Sequence, residues 1–143
     1  MRYKKPIDFN TEDLEVLKIS ELKRIADYWL RQYLLKKAKR RNNLIYCPLK
    51  EKWYPEHKIQ VAHFIDRAMM SCRYDLNNCN LISEQSNSWD AQIPKEGYKS
   101  KHHYDYEMWL GQKKVEKLLQ KSKQLIIFAR EDYISIINKF RNE

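Results

Sequence analysis

The chain has 143 residues, of which 43% are hydrophobic and 33% charged, with only two glycines and four prolines. These values are typical of a globular domain, and they exclude a disordered, collagen-like or linker-rich chain. The formal net charge of +9 makes a polyanion such as nucleic acid a natural partner.

Cysteine content and hydropathy predict the compartment. Three cysteines are too few, and odd in number, for a disulfide framework, so reduced thiols are expected. No apolar run approaches the roughly 20 residues that span a bilayer, and no apolar segment of a signal peptide follows the basic residues 1–5. We therefore expect a cytoplasmic protein without membrane contact.

The first predicted element is an amphipathic helix from Ser20 to about Ala38. Ser20 and Glu21 are typical of a helix start, and residues 11–13 give a second such signal upstream. Asn42–Asn43 interrupts the helical pattern. Apolar residues recur at the i, i+3, i+4, i+7 spacing of one helix face, at Leu22, Ile25, Ala26, Trp29, Leu30 and Tyr33.

A strongly basic stretch overlaps the end of this helix. No acidic residue occurs between Asp27 and Glu51, whereas seven basic residues do. Such a stretch predicts contact with polyphosphate. The alternative is an ordinary solvated helix face. The residues assigned to nucleic-acid binding at this helix end are Lys36, Lys37, Lys39, Arg40 and Arg41.

Two short segments, 44–47 and 59–64, are predicted to be strands because they are rich in β-branched and aromatic residues. Alternation along the second segment places Ile59, Val61 and His63 on one face. Asn77–Asn78 marks a turn, after which a helix is expected from Leu81 to about Ala91.

The C-terminal part is predicted to be helical. Residues 94–100 form a loop, and helices are expected at 104–110, 112–120 and 130–140. The class is therefore α+β, as one mainly helical domain spanning 1–143. The residues expected to face inward are Met108, Val115, Leu118, Leu119, Tyr133, Ile134, Ile136, Ile137 and Phe140.

Three polar residues in the middle of the chain suggest phosphodiester chemistry. A neutral imidazole can activate water, and a side-chain oxygen can hold a divalent cation against a phosphate. His63 and Asn87 could supply these two parts. Taken singly, His63 could be a buried core histidine, Asn78 a turn residue and Asn87 part of a polar helix face. Their order, with gaps of 15 and 9 residues, is more specific than any one of them.

This order resembles that of the HNH, or His-Me finger, nucleases, and most closely that of the phage NinG (Rap) recombination nucleases. The segments that carry the likeness are Ala62-His63-Phe64, Cys72-Arg73-Tyr74, Asn77-Asn78-Cys79-Asn80 and Ser83-Glu-Gln-Ser86-Asn87. Residues 106–118 and 130–142 resemble the helices that follow the finger in that family. The likeness extends over roughly 46–143, and residues 1–43 are similar only as a basic helical region.

The resemblance implies a ββα-metal finger at 44–92, with C-terminal helices at 98–143. It implies a metal-dependent endonuclease acting on branched or single-stranded DNA in the cytoplasm of a bacterial host. His63 would be the general base, and Mg²⁺ or Mn²⁺ would be held through Asn87, with Asp66 and Asp90 as further ligands. Junction cleavage requires two active sites and hence a homodimer. The remaining roles are loop bracing at Asn78 and phosphate contact at Arg67 and Arg73.

The chain departs from that family at its zinc site. Family members carry two Cys-x-x-Cys pairs, whereas here the corresponding segments are Cys47-Pro-Leu-Lys50 and Ser83-Glu-Gln-Ser86. One thiolate cannot complete a tetrahedral site, so no structural zinc is expected. Cys72 and Cys79 are expected to be packing residues. The finger would then be held by a packed core, for which the candidates are Trp53, Tyr54, Tyr74, Leu81, Ile82 and Trp89.

Two other functions remain open. Many HNH enzymes carry a carboxylate ligand before the histidine, where this chain has Ala62, so the finger could be an inactive DNA-binding module. The motif could also be a coincidence in a basic helical domain that binds RNA or protein. The adjacent pair His102–His103 has no assigned role, because neighbouring side chains point apart on a helix.

Overall fold

The computed structural model of the chain describes residues 6–88 and 101–143. The predicted α+β class is confirmed. Contacts group the described residues into two compact units, 6–36 with 127–143 and 37–126, and the single-domain division stays a prediction. In chain order the elements are α1 (Ile19–Lys37), β1 (Arg40–Arg41), β2 (Leu44–Cys47), β3 (Lys52–Pro55), β4 (Ile59–His63), α2 (Met70–Arg73), β5 (Cys79–Ser83), α3 (Glu84–Ser88), α4 (Lys101–Leu110), α5 (Gln112–Ser122) and α6 (Arg130–Asn142).

The first unit combines α1 with α6. The Tyr33 and Phe140 rings lie 5.3 Å apart, and Arg141 Nη1 donates to the carbonyl oxygen of Thr11 at 2.9 Å. At the start of α6, Asp132 accepts the backbone N–H of Ala129 at 2.7 Å, which caps the helix. The extents predicted for both helices are confirmed to within about two residues. The buried residues are Leu22, Ile25, Ala26, Leu30 and Leu35 in α1 and Tyr133, Ile137 and Phe140 in α6.

In the second unit, an antiparallel sheet has the strand order β1-β2-β3. The turn between β1 and β2 is possible because Asn42 adopts a left-handed φ of 55°, a conformation that asparagine tolerates. β2 is confirmed as predicted, whereas β1 and β3 were not predicted. β3 ends in Pro55, which an edge strand tolerates because the missing donor faces outward.

A separate antiparallel hairpin pairs β4 with β5, with Ile59 opposite Ser83 and His63 opposite Cys79. α3 follows β5 directly and contacts both strands. The predicted start of this helix at Leu81 is wrong, because residues 81–83 are bonded to β4 and the helix begins at Glu84. Here strand pairing overrides the local turn and cap signals.

The helices α4 and α5 are separated by Gly111, whose φ of 88° is left-handed. Val115 and Leu118 are buried, as predicted, but Met108 and Leu119 are 67% and 47% exposed, so their predicted burial is wrong. The buried Leu118 carbonyl oxygen accepts from Cys72 Sγ of α2 at 3.6 Å. The predicted loop at 94–100 lies outside the described residues.

Across 6–88 and 101–143, no helix is both long enough and apolar enough to span a membrane.

Candidate functional site

His63 ends β4 and is held by a backbone carbonyl. Its Nε2 lies 3.0 Å from the carbonyl oxygen of Arg73, at the end of α2. A carbonyl oxygen can only accept a hydrogen bond, so Nε2 must carry a proton. In the neutral ring the lone pair is then on Nδ1, which is the tautomer that a base acting through Nδ1 requires. This hydrogen bond orients the ring of the half-buried His63, which directly precedes the segment 64–78.

Asn78 holds the two ends of this loop together and is 0% exposed. Its Oδ1 accepts the N–H of Ile65 at 2.6 Å, and its Nδ2 donates to the carbonyl oxygens of Ile65 at 3.1 Å and Cys72 at 3.0 Å. The backbone adds a bond from Phe64 N to the Asn78 carbonyl oxygen at 3.0 Å. These contacts brace the segment that carries the acceptor of His63.

Arg73 is buried within the same loop, at 6% exposure. Its Nη1 donates to the carbonyl oxygen of Arg67 at 3.0 Å, and its guanidinium lies 5.7 Å from the Tyr74 ring centroid. Its own carbonyl oxygen accepts from Cys79 Sγ at 3.0 Å as well as from His63. Arg73, assigned to phosphate contact from the sequence, therefore has contacts that organise the loop, while Arg67 is exposed.

The hydroxyl of Tyr106, a residue of α4, forms hydrogen bonds with the β4–β5 hairpin and the residue before β5. This tyrosine was not singled out from the sequence. Its hydroxyl lies 3.0 Å from the Ala62 carbonyl oxygen and 3.2 Å from that of Asn78, and it accepts from Asn80 Nδ2 at 2.7 Å. Burial raises the pKa of Tyr106 far above its ordinary value, against a smaller lowering by the Asn80 hydrogen bond. No sequence pattern distinguishes such a tyrosine from an ordinary core aromatic.

Aromatic stacking adds a second link between α4 and the hairpin. The Phe64 ring is stacked on His103 at 4.6 Å and meets Tyr106 edge-on at 5.5 Å. His103, which had no role in the sequence, thus lies against the residue that follows His63. The side chain of His102 lies outside the described part of the chain.

The predicted metal ligands are only partly described. Asn87 falls within α3, but its side chain, like the whole of Asp90, lies outside the described residues. Asp66 is exposed, and its Oδ1 accepts the N–H of Ala68 at 2.8 Å in a local turn. Among the side chains that are described, no group of three or more His, Cys, Asp or Glu is placed to hold a metal ion. The convergence of His63 and Asn87 stays a prediction.

The predicted nucleic-acid-binding residues do not all belong to a helix end. Lys36 and Lys37 end α1, and Lys36 Nζ donates to the carbonyl oxygen of Glu143 at 3.0 Å. Arg40 and Arg41 form β1, so their predicted place at the helix terminus is wrong. The helix stops at Lys37 because the chain then enters the ladder with β2.

The two segments compared above with Cys-x-x-Cys pairs, 47–50 and 83–86, are in contact. Ser83 N donates to Cys47 Sγ at 3.3 Å, and Ser86 N donates to Ser83 Oγ at 3.3 Å. Cys47, Ser83 and Ser86 are 0%, 1% and 2% exposed, and Lys50 lies in the turn closed by Glu51 N to the Cys47 carbonyl oxygen at 2.8 Å. Buried hydrogen bonds thus connect β2 with the start of α3.

The core around the β4–β5 hairpin differs in part from the set predicted for the finger. Tyr74 and Ile82 are buried, as are all three cysteines, which are free thiols. Trp53, Tyr54 and Leu81 are only half-buried. Trp89 lies beyond the described residues.

Comparison with known proteins gives no match: no family model, no curated protein and no solved structure is detectably similar to this chain.

Proposed function

We propose that this chain is a metal-dependent DNA endonuclease of the His-Me finger type that acts on branched or single-stranded DNA. The observation that carries the proposal is the fixed imidazole of His63 at the end of β4, with Nε2 on the carbonyl oxygen of Arg73. The order β4, α2, β5, α3, with the histidine on the first strand of the hairpin, supports a finger of the ββα type. The hydrogen bonds of Asn78 to Ile65, which brace the connection between the two strands, also support the proposal.

In the proposed reaction, neutral His63 removes a proton from water through Nδ1 as the water attacks a phosphodiester. Asn87, Asp66 and Asp90 offer amide and carboxylate oxygens, the donor set that Mg²⁺ and Mn²⁺ prefer, so the residues fit such an ion. When bound, the ion would stabilise the charge developing on the phosphate oxygens. Arg67, exposed on the loop, would contact a neighbouring phosphate.

The meeting of Cys47 with Ser83 also supports the likeness to the phage NinG nucleases. Two Cys-x-x-Cys pairs can share one zinc only if the chain brings them together. Here the corresponding segments are in contact at 3.3 Å although they are 36 positions apart. Hydrogen bonds and packing would take the place of the metal, so loss of the thiolates does not by itself remove the histidine site.

An inactive DNA-binding module is the second candidate. Ala62, immediately before His63, is 1% exposed and supplies no carboxylate where many HNH enzymes have one. Metal binding would then rest mainly on Asn87 and on water. Catalysis and binding must therefore be measured separately.

The proposal is tested by cleavage of branched, single-stranded and duplex DNA with Mg²⁺, Mn²⁺ or EDTA. We expect wild type to cut with metal only, and His63→Ala to be slower by about a hundred- to ten-thousand-fold with unchanged DNA affinity. His57→Ala, an exposed histidine of the same unit, is the matched control and should cut normally. Asn87→Ala should cut more slowly and need more metal.

Two results would refute the proposed mechanism. One is the absence of cleavage by wild type with either metal, which would favour the binding module. The other is cleavage by His63→Ala at the wild-type rate. Junction cleavage would further require a homodimer, which sedimentation of the protein with and without DNA would detect.

A further inference from the structure

The β1-β2-β3 sheet presents an aromatic and basic face that the cleavage mechanism does not use. Tyr46 is paired with Trp53 across β2 and β3, and the Tyr46 N–H donates to the Lys39 carbonyl oxygen at 3.2 Å. Cross-strand partners project from the same side of a sheet. The neighbouring residues of β2, Ile45 and Cys47, are 1% and 0% exposed, so the core lies against the opposite side.

The aromatic rings on this face already hold a cation. The Tyr46 and Trp53 ring centroids are 5.2 Å apart, and Lys39 Nζ lies 4.8 Å from the first centroid and 5.9 Å from the second. Lys39 is exposed and both aromatic side chains are half-buried. Ring faces that an exposed ammonium covers can be reached by a planar base once the flexible lysine turns to a phosphate.

The excess of positive charge around this face favours the binding of a polyanion. Residues 37–58 carry seven lysines and arginines against Glu51 and Glu56, and the latter forms an exposed ion pair with Arg40 at 3.5 Å. Arg41 lies on the same face as Tyr46 by strand alternation. A ligand that offered only phosphates would need the cations but not the aromatic rings. Duplex DNA would not use the rings either, because its bases are stacked inside the helix. An aromatic pair among cations fits a strand whose bases are exposed.

We propose that Lys39, Arg41, Tyr46 and Trp53 form a stacking platform for single-stranded DNA, with bases on the rings and phosphates on the two cations. This deepens the proposed function by assigning it a single-stranded substrate region. Binding at the platform does not depend on His63 chemistry. The platform is joined to the hairpin that carries His63 through the contact of Cys47 with Ser83.

The test is binding of fluorescent oligothymidine in EDTA, so that no cleavage occurs, with an abasic oligonucleotide of equal length as the phosphate-only ligand. Stacking of one base on an aromatic ring contributes about 5- to 150-fold in affinity. Wild type should therefore bind oligothymidine at least about fivefold more tightly than the abasic strand. Trp53→Ala, which keeps the Tyr46 ring, should lose most of the preference and keep its affinity for the abasic strand. Lys39→Ala should weaken binding to both strands and lower the salt slope by about one.

Matched substitutions keep the test decisive if Trp53→Ala unfolds. Trp53→Phe retains a ring and should retain most of the affinity, while the quenching of tryptophan emission by oligothymidine should largely disappear. In Trp109→Phe, which changes an exposed tryptophan of α4, the quenching should persist. The proposal is overturned if wild type binds abasic and thymidine strands equally, if quenching survives in Trp53→Phe, or if an oligouridine strand binds tenfold more tightly than DNA.

Discussion

Tyr106→Phe is the sharpest test of how the hairpin is held, because it removes one oxygen atom and keeps the ring. The lost hydroxyl has three polar neighbours at 2.7, 3.0 and 3.2 Å, on Asn80, Ala62 and Asn78. A hydrogen bond contributes about 0.5–1.5 kcal/mol net, and a buried partner left unsatisfied adds to the loss. We expect the free energy of unfolding to fall by about 2–3 kcal/mol.

The measurement is urea unfolding followed by circular dichroism, with thermal unfolding beside it. For a chain of this size the expected loss corresponds to a fall in Tm of roughly 5–12 °C. Tyr104→Phe is the control: Tyr104 is 57% exposed on the same helix, and the change should alter stability by less than about 0.5 kcal/mol. If Tyr106→Phe were as stable as this control, the hydroxyl would not fasten the hairpin.

The pH dependence gives an independent readout of the same group. Burial raises the pKa of Tyr106 in the folded protein, whereas in the unfolded chain a tyrosine ionises near pH 10, so above that pH the unfolded state alone loses the proton. Its contribution to stability is therefore complete below about pH 10 and declines above it, by about 1.4 kcal/mol per pH unit. Tyr106→Phe should lose this part of the alkaline slope, and an unchanged slope would contradict the assignment.

Three further outcomes are expected. Asn78→Ala should lower the free energy of unfolding by about 3–5 kcal/mol in urea titration, because three hydrogen bonds of a fully buried residue are lost, and a loss under 1 kcal/mol would contradict the bracing role. The triple substitution Lys50→Cys, Ser83→Cys, Ser86→Cys should complete a four-thiolate site with Cys47 and bind one zinc per chain, as elemental analysis would detect; failure to bind would contradict the proposed correspondence of these segments with the two Cys-x-x-Cys pairs. Charge reversal at three of the five basic positions at the end of α1, after it and in β1 should lower the slope of log K against log salt by about three; an unchanged affinity would identify a solvated face.

The long helices were predictable because their burial follows one period. Leu22, Ile25 and Leu30 recur on one face of α1, and Tyr133 and Phe140 do so on α6, so periodicity alone gives both elements. Helix bounds then depend only on where the apolar face ends. This signal is strongest in long segments.

The short strands were predictable only in part. Leu81 and Ile82 form an apolar pair that fits a strand or a helix start equally well, and only pairing with β4 decides between them. β1 is two arginines without strong β propensity, and β3 has Trp53 and Tyr54 but is only four residues long and ends in a proline, so local propensity predicts neither strand. Their strand conformation follows from β2 between them.

The residues of the candidate site were also predictable only in part. His63 and Asn78 could be singled out by residue type and spacing. The buried position of Arg73 could not, because arginine is usually exposed and its burial here depends on the carbonyl oxygen of Arg67. Tyr106 acquires its role from a contact with a strand 44 positions away. The spacing of residues along the sequence does not indicate such long-range contacts.

The first unit has a consequence for the order of events during synthesis. It is discontinuous: α1 leaves the ribosome before the intervening residues 37–126, and α6 follows only after them. Closing a loop of about 90 residues costs on the order of 4 kcal/mol in chain entropy. The apolar face of α1 therefore lacks its partner helix until α6 has been synthesised. The second unit is continuous in sequence, so its folding does not require this closure and can come first.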